Sequence, residues 1–252
     1  MSNFNIMSTH NNQFVIRSLV APLYSEPRFT SSKISEAVFG EILNVNDVNG
    51  SWVNIKQDDG YHSWIKDFYG TFEKKTTICQ YIVVDKYLLP FGSRLHKTNG
   101  KYKTVNEDDY NYNIEPIKIG EIVNIDDILI HARNLIGSPY RWGGKTSFGF
   151  DCSGFVQTLF LLTGLMLPRD SWQQSELFKD SLVIGRNSKP GDLHFFGKDG
   201  KISHVGISTG GLNLIHCQGW VKEESFENIN SGNEKLVDMY MHSCSVELNS
   251  KR

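Results

Sequence analysis

YRWGGKTSFGFDCSGF, residues 140–155, sets a cysteine between an aspartate and a serine behind a run of glycines and aromatics, and leads straight into SGFVQTLFLLT. From Ser153 to about Thr163 this apolar run predicts a helix, with Asp151 or Cys152 at its N-terminus and Gly164 at its end. Because it is apolar on nearly every side, it must be central to its fold. Its first turn holds the Cys152 thiol, where unpaired N–H groups and the positive end of the helix dipole lower a thiol's pKa. A cysteine there can equally be a small buried apolar residue, so a neighbouring base has to decide.

Upstream, DILIHARNLI reads as a helix capped by Asp126 or Asp127 and stopped by Gly137 and Pro139. Downstream, after a polar loop around Arg169, PGDLHFFG, ISHVGIS and LNLIHC read as strands of an antiparallel sheet. Helices followed by strands predict an α+β domain. A hairpin around Thr209-Gly210-Gly211 pairs Ser208 with Leu212, Gly206 with Leu214 and His204 with His216. The two imidazoles then become direct cross-strand neighbours, their Cβ atoms about 5 Å apart, with small Gly206 leaving room on the same face. If that face packs on the N-terminus of the Cys152 helix, one histidine takes the thiol proton while the other holds its tautomer. The competing use of two such histidines is half a metal site. His194 is on an adjacent strand and is expected to point outward, and no carboxylate or cysteine stands at ligand spacing, so neither metal nor cofactor is expected.

The first half has a different grammar. FVIRSLV, AVFGEILNVN, SWVNIK and YHSWIKDFYG, then ICQYIVVDKYLLP and IEPIKIGEIVNI, are β-branched or aromatic runs cut by Asn49-Gly50, Asp59-Gly60 and Asn99-Gly100. FGEILNVND at 39 and IGEIVNIDD at 119 look alike, but one leads into strands and the other into a helix, which argues for chance.

With 252 residues the chain has room for two or three small domains, and 26 basic against 28 acidic side chains leave a net charge of −2. Nucleic acid is not an expected partner. No run approaches the length of a membrane span, and MSNFNIMSTHNNQF lacks a basic start followed by an apolar stretch, so membrane partners are not expected either. As written the chain is expected to be cytoplasmic, or exported if a leader has been trimmed away. Cys79, Cys152, Cys217 and Cys244 show no CxxC spacing, which suggests neither a disulfide framework nor zinc.

SPYRWGG, FDCSGF, LPRDSWQQ, KPGDLHFF, SHVGI and LIHC, in order over roughly residues 127–250, resemble the NlpC/P60 family of cell-wall cysteine peptidases. The resemblance implies a papain-like catalytic domain over 127–252. In it Cys152 is the nucleophile, His204 the general base, His216 the orienting third residue, and Tyr140 a donor to the oxyanion beside the Cys152 N–H. VAPLYSEP, FGE, SWVNIK and DGYHSWI resemble bacterial SH3-like (SH3b) β-barrels, one over 14–70 and a degenerate second over 78–126. Such modules before a catalytic domain are similar to the layout of γ-D-glutamyl-L-diamino acid endopeptidases. That likeness implies a murein peptide substrate whose free amino end meets Glu26, Tyr61 and Asp151, with Ser153 and Trp142 lining the same pocket. A monomer is expected. A wall-binding protein acting through its SH3-like modules, or a related thiol amidase or acyltransferase, are the other functions that this sequence allows.

Overall fold

The computed structural model describes residues 13–74, 77–85, 88–111, 113–227 and 233–248; residues 1–12, on which the expectation about a leader falls, lie outside it. The β-rich grammar of the first half forms two antiparallel sheets. The first contains β1 (Gln13–Ile16), β2 (Val20–Tyr24), β3 (Lys33–Val38), β4 (Ile42–Asn49), β5 (Trp52–Lys56), β6 (His62–Lys66) and β7 (Gly70–Glu73), in spatial order β3-β2-β6-β5-β4-β1-β7. Inward residues two apart, such as Phe14 and Ile16, Ala21 and Leu23, and Val53 and Ile55, build its own core. The second sheet has β8 (Tyr81–Ile82), β9 (Arg94–Thr98), β10 (Lys101–Lys103) and β11 (Ile117–Lys118). Val83, Leu95 and Tyr110 form a small core beneath it, while Ile82 and Phe91 join the core of the C-terminal half.

The C-terminal half begins with α1 (Ile125–Asn134), the two-residue strands β12 (Lys145–Thr146) and β13 (Gly149–Phe150), α2 (Cys152–Phe160) and α3 (Ser171–Leu177). It continues with β14 (Leu182–Val183), β15 (Leu193–Lys198), β16 (Lys201–Gly210), β17 (Asn213–Gln218), β18 (Trp220–Ser225), α4 (Glu234–Met239) and β19 (Tyr240–Cys244). Its main sheet runs β14-β19-β15-β16-β17-β18, all antiparallel. α1 and α2 share one core with the Leu193, Phe195, Val205, Ile207, Ile215 and Val221 face of that sheet. All nine residues of α2 are buried, as a helix apolar on every side requires. No helix among the described residues is long and apolar enough to cross a membrane.

Four local expectations are corrected. The cap of α1 is Asn124, whose side chain accepts the Asp126 N–H at 3.0 Å, because the helix starts at Ile125 and neither aspartate lies outside it. The β16–β17 hairpin pairs Ile207 with Ile215 and Ser208 with Leu214, a shift of two residues, because the chain turns later, at Gly211-Leu212, after a bulge between Ser208 and Gly210. A shift of two keeps each side chain on its face, so His204 and His216 still meet, as diagonal rather than direct neighbours. His194 is fully buried and bonded to Ser243 Oγ at 2.7 Å instead of facing outward. Arg169 is 1% exposed, and the segment after it forms α3, opened by Gln173 Oε1 accepting the Asp170 N–H at 3.1 Å.

Candidate active site

Asp151 caps α2 and is fully engaged. Oδ1 accepts the Gly154 N–H at 2.7 Å and Oδ2 the Gly143 N–H at 2.9 Å. Arg169 grips both oxygens, at 3.0 and 2.6 Å, and also donates to Ser153 Oγ at 3.1 Å and to Ser35 Oγ of β3 at 3.0 Å. Burial works against the Arg169 charge, but the Asp151 carboxylate more than offsets it, leaving a buried bidentate ion pair. The glycines of the motif let the chain close around this pair: a Cβ on Gly154 would lie 2.1 Å from the Gly144 carbonyl oxygen.

This scaffold fixes Cys152 at the first position of α2, 7% exposed. Its sulfur lies 3.9 Å from the Ser203 carbonyl oxygen and meets the N–H groups of Val205 and Ser153, so it packs on the main chain flanking His204. Burial pushes the thiol up to about 12, and the Asp151 carboxylate adds to the rise; the N–H groups and Arg169 pull the other way and lose. The low pKa expected from a helix N-terminus is therefore reversed in this setting. Burial and Asp151 both favour the neutral thiol at rest.

His204 Nε2 lies 2.6 Å from His216 Nδ1, and His216 Nε2 lies 2.7 Å from Glu224 Oε1. Burial lowers both imidazoles, His204 well below its ordinary value, with His216 and Lys222 adding to the fall; Lys222 also lowers His216, against the pull of Glu224. The hydrogen bond from His216, with help from Lys222 at 3.0 Å, holds Glu224 down at about 2. The row therefore contains two neutral imidazoles ending in a carboxylate. The space around it is tight, since a Cβ on Gly206 would come within 2.9 Å of His216 Cβ. Among the described residues no group of three or more His, Cys, Asp or Glu side chains is arranged to hold a metal ion.

Tyr140 is half-buried near Cys152, and burial, then the Cys152 and Asp151 charges, raise its phenol, which makes it a neutral donor. Trp142 is exposed. Ser153 is buried and tied to Asp151 and Arg169. The expected trio around a substrate amine is not assembled. Glu26 is exposed on the loop after β2 and paired with Arg28 at 2.7 Å, and Asp151 is occupied by Arg169. Tyr61 instead donates to Asp170 Oδ2 at 3.2 Å, so the acid beside the tyrosine comes from the catalytic half.

Three residues that the sequence did not single out belong to the site. Asp170 and Arg169 stand within LPRDSWQQ, where a charged pair between a proline and a helix start was the available signal. Glu224 stands in WVKEES, the next alternating run after LNLIHC, and a third meander strand there would have placed it beside His216.

The NlpC/P60 family model matches residues 137–241. The Gamma-D-glutamyl-L-lysine dipeptidyl-peptidase of Bacillus cereus is 26% identical over 226 residues, covering 72% of this chain and 66% of that protein. Its namesake from Bacillus subtilis is 28% identical over 212 residues, covering 72% of this chain and 71% of that one. The crystal structure of a Bacillus cereus NlpC/P60 family protein superposes with a TM-score of 0.73 at 20% identity, over 92% of this chain and 99% of the other, so the likeness in fold includes the N-terminal half. With the family's match falling on the segment that carries Cys152, His204 and His216, residues 137–241 of this chain form an NlpC/P60 family domain.

Proposed function

We propose that the protein is a cysteine peptidase that hydrolyses the γ-D-glutamyl bond to a diamino acid, L-lysine or meso-diaminopimelate, in murein peptides with a free N-terminal L-alanine. The observation that carries it is the buried thiol at the start of α2, packed on the main chain of Ser203 and Val205, between which stands a histidine hydrogen-bonded to His216 at 2.6 Å. The Bacillus relatives named for this type of peptide add support over both halves of the chain.

In this mechanism the Cys152 sulfur attacks the γ-carbonyl carbon while His204 takes the thiol proton. The Cys152 N–H and the Tyr140 hydroxyl donate to the oxyanion. Collapse breaks the C–N bond, His204 returns the proton to the leaving amine, and a thioester remains. Water, deprotonated by His204, then releases the glutamyl product and restores the thiol. The β-rich half is read as two SH3-like modules, 14–70 and 78–126. The first supplies Tyr61, which with Asp170 takes the substrate ammonium.

Mass spectrometry of defined peptides tests both bond and end group. L-Ala-γ-D-Glu-L-Lys and its diaminopimelate analogue should be cut at the γ-bond, whereas N-acetylated and muramyl-linked forms should react about 10² to 10⁴ times more slowly, the range for a lost charge-assisted bond with a carboxylate left unpaired. Asp170→Asn and Tyr61→Phe should narrow that gap. Equal kcat/KM for free and acetylated tripeptides would remove the amine from the account.

A further inference from the structure

We infer that Glu224 is a positioning residue of this site: by accepting the Nε2–H of His216 it fixes the protons of both imidazoles, so that Nδ1 of His204 is the nitrogen left to take the Cys152 proton. The inference rests on Cys152 being the nucleophile and deepens the proposed function.

β18 pairs with β17 so that Lys222 lies opposite His216 and Glu224 opposite Leu214, which puts Glu224 on the His216 face one step along the diagonal. A neutral imidazole has one N–H and one acceptor nitrogen, and an ionised carboxylate only accepts. With Glu224 Oε1 at 2.7 Å from His216 Nε2, that nitrogen carries the proton and His216 Nδ1 must accept. The atom facing it at 2.6 Å, His204 Nε2, is then the donor, and the lone pair of His204 is on Nδ1. His216 alone could not impose this order, because an imidazole without a fixed partner adopts either tautomer. When His204 Nδ1 is protonated, its Nε2–H still donates to His216, and the row still ends on a carboxylate. No hydrogen bond changes direction during the proton transfer.

The titratable groups that act on the two rings are Glu224 and Lys222 from β18, while Cys152 of α2 meets the main chain of Ser203 and Val205 on either side of His204. β15 contributes the Phe196 ring, opposite His204, and His194, whose Nδ1 is turned to Ser243. Glu224 is the acid among them, so its removal should shift the protonation of the pair in one direction. Losing a carboxylate that favours imidazolium lowers the histidine pKa, and the acid limb of kcat/KM moves to lower pH.

Long-range proton–nitrogen correlation spectra of nitrogen-15-labelled protein read the tautomers directly, and iodoacetamide reads the readiness of Cys152, both without peptide. In the wild type His204 should be the Nε2–H tautomer. Glu224→Ala should mix or reverse the tautomers, slow alkylation of Cys152, and lower kcat by about 10- to 100-fold with KM within about twofold. Glu224→Gln, whose carbonyl oxygen can still accept, should keep the tautomer and activity above that of the alanine variant, yet show the shifted acid limb. An unchanged tautomer with wild-type alkylation in Glu224→Ala would overturn the inference. So would an unmoved acid limb in Glu224→Gln, which stands even if the alanine variant does not fold. A peptide panel that is not cut while the tautomers behave as stated would count against the substrate and leave Glu224 in its place.

Discussion

Burial holds the Cys152 thiol at about 12 and His204 well below its ordinary value, so the resting pair is neutral and the proton must leave the sulfur during attack. The pH dependence follows. The base is active when unprotonated, its pKa is lowered, and so the acid limb of kcat/KM should fall below the ordinary histidine value of about 6.5. Alkylation of Cys152 by iodoacetamide should keep rising with pH above neutrality, because no thiolate population saturates there. A rate that is already level at acidic pH would reveal a preformed thiolate–imidazolium pair and contradict the neutral description. Cys152→Ala and His204→Ala should each cost about four orders of magnitude in kcat or more, as in other nucleophile–base pairs. His216→Gln should retain part of the activity, because its carbonyl can accept the His204 N–H that His216 Nδ1 now accepts.

Strand β15 is covered on both faces, with Leu193 and Phe195 in one core and Phe196 in another, and His194 is sealed in between. Its Nδ1 binds Ser243, and burial lowers its pKa to about 4 against the pull of the Asn213 and Gly211 backbone and of Asp192. A folded value below the unfolded one of about 6.5 means that the unfolded chain binds more protons at acid pH. Stability is then full above about 6.5 and falls as pH drops towards 4, by up to about 3 kcal/mol from this residue. Urea midpoints at neutral and acid pH should show this fall, and His194→Gln should flatten it, leaving a residual slope from His204 and His216. Equal slopes in both proteins would count against His194 as a source. The same double cover explains why alternation in KPGDLHFF revealed a strand but misjudged its histidine: parity tells faces apart but not which is wet. Helix α2 was legible because it is apolar all round. The hairpin register was not, since a bulge between Ser208 and Gly210 leaves no mark in composition. The burial of Arg169 was hidden because its partners are 18 residues away at Asp151 and 134 away at Ser35. The likeness of FGE to IGE, discounted on sequence, marks one turn used twice. Glu41 accepts the Val38 N–H and Glu121 the Lys118 N–H, each at 2.9 Å, around left-handed Gly40 and Gly120.

The N-terminal sheet is built into the catalytic site rather than merely tethered to it. Arg169 reaches Ser35, Gln157 of α2 donates to Asp59 at 2.8 Å, Tyr61 bonds Asp170, and buried Glu41 lies 3.6 Å from Lys145. Glu36 of β3, 1% exposed, takes the Lys145 N–H on Oε2 at 3.1 Å and the Lys33 ammonium on Oε1 at 2.6 Å. Two residues before Lys145, the Gly143 N–H binds Asp151, the cap of the nucleophile helix. A carboxylate in the first sheet thus anchors the loop that anchors the cap. Glu36→Ala leaves the Lys145 N–H unpaired, a loss of about 1.5–3 kcal/mol for a charge-assisted bond. If that energy only holds the two halves together, Tm falls while kcat stays at its wild-type value. If it also fixes the Gly143–Lys145 loop, kcat falls several-fold at constant KM, although Glu36 touches none of the reacting groups, and Glu36→Gln, which keeps an acceptor oxygen, restores most of it. The second outcome is the expected one, because the path from Glu36 to Asp151 is two hydrogen bonds and three residues of backbone, too short to slacken without moving the first turn of α2.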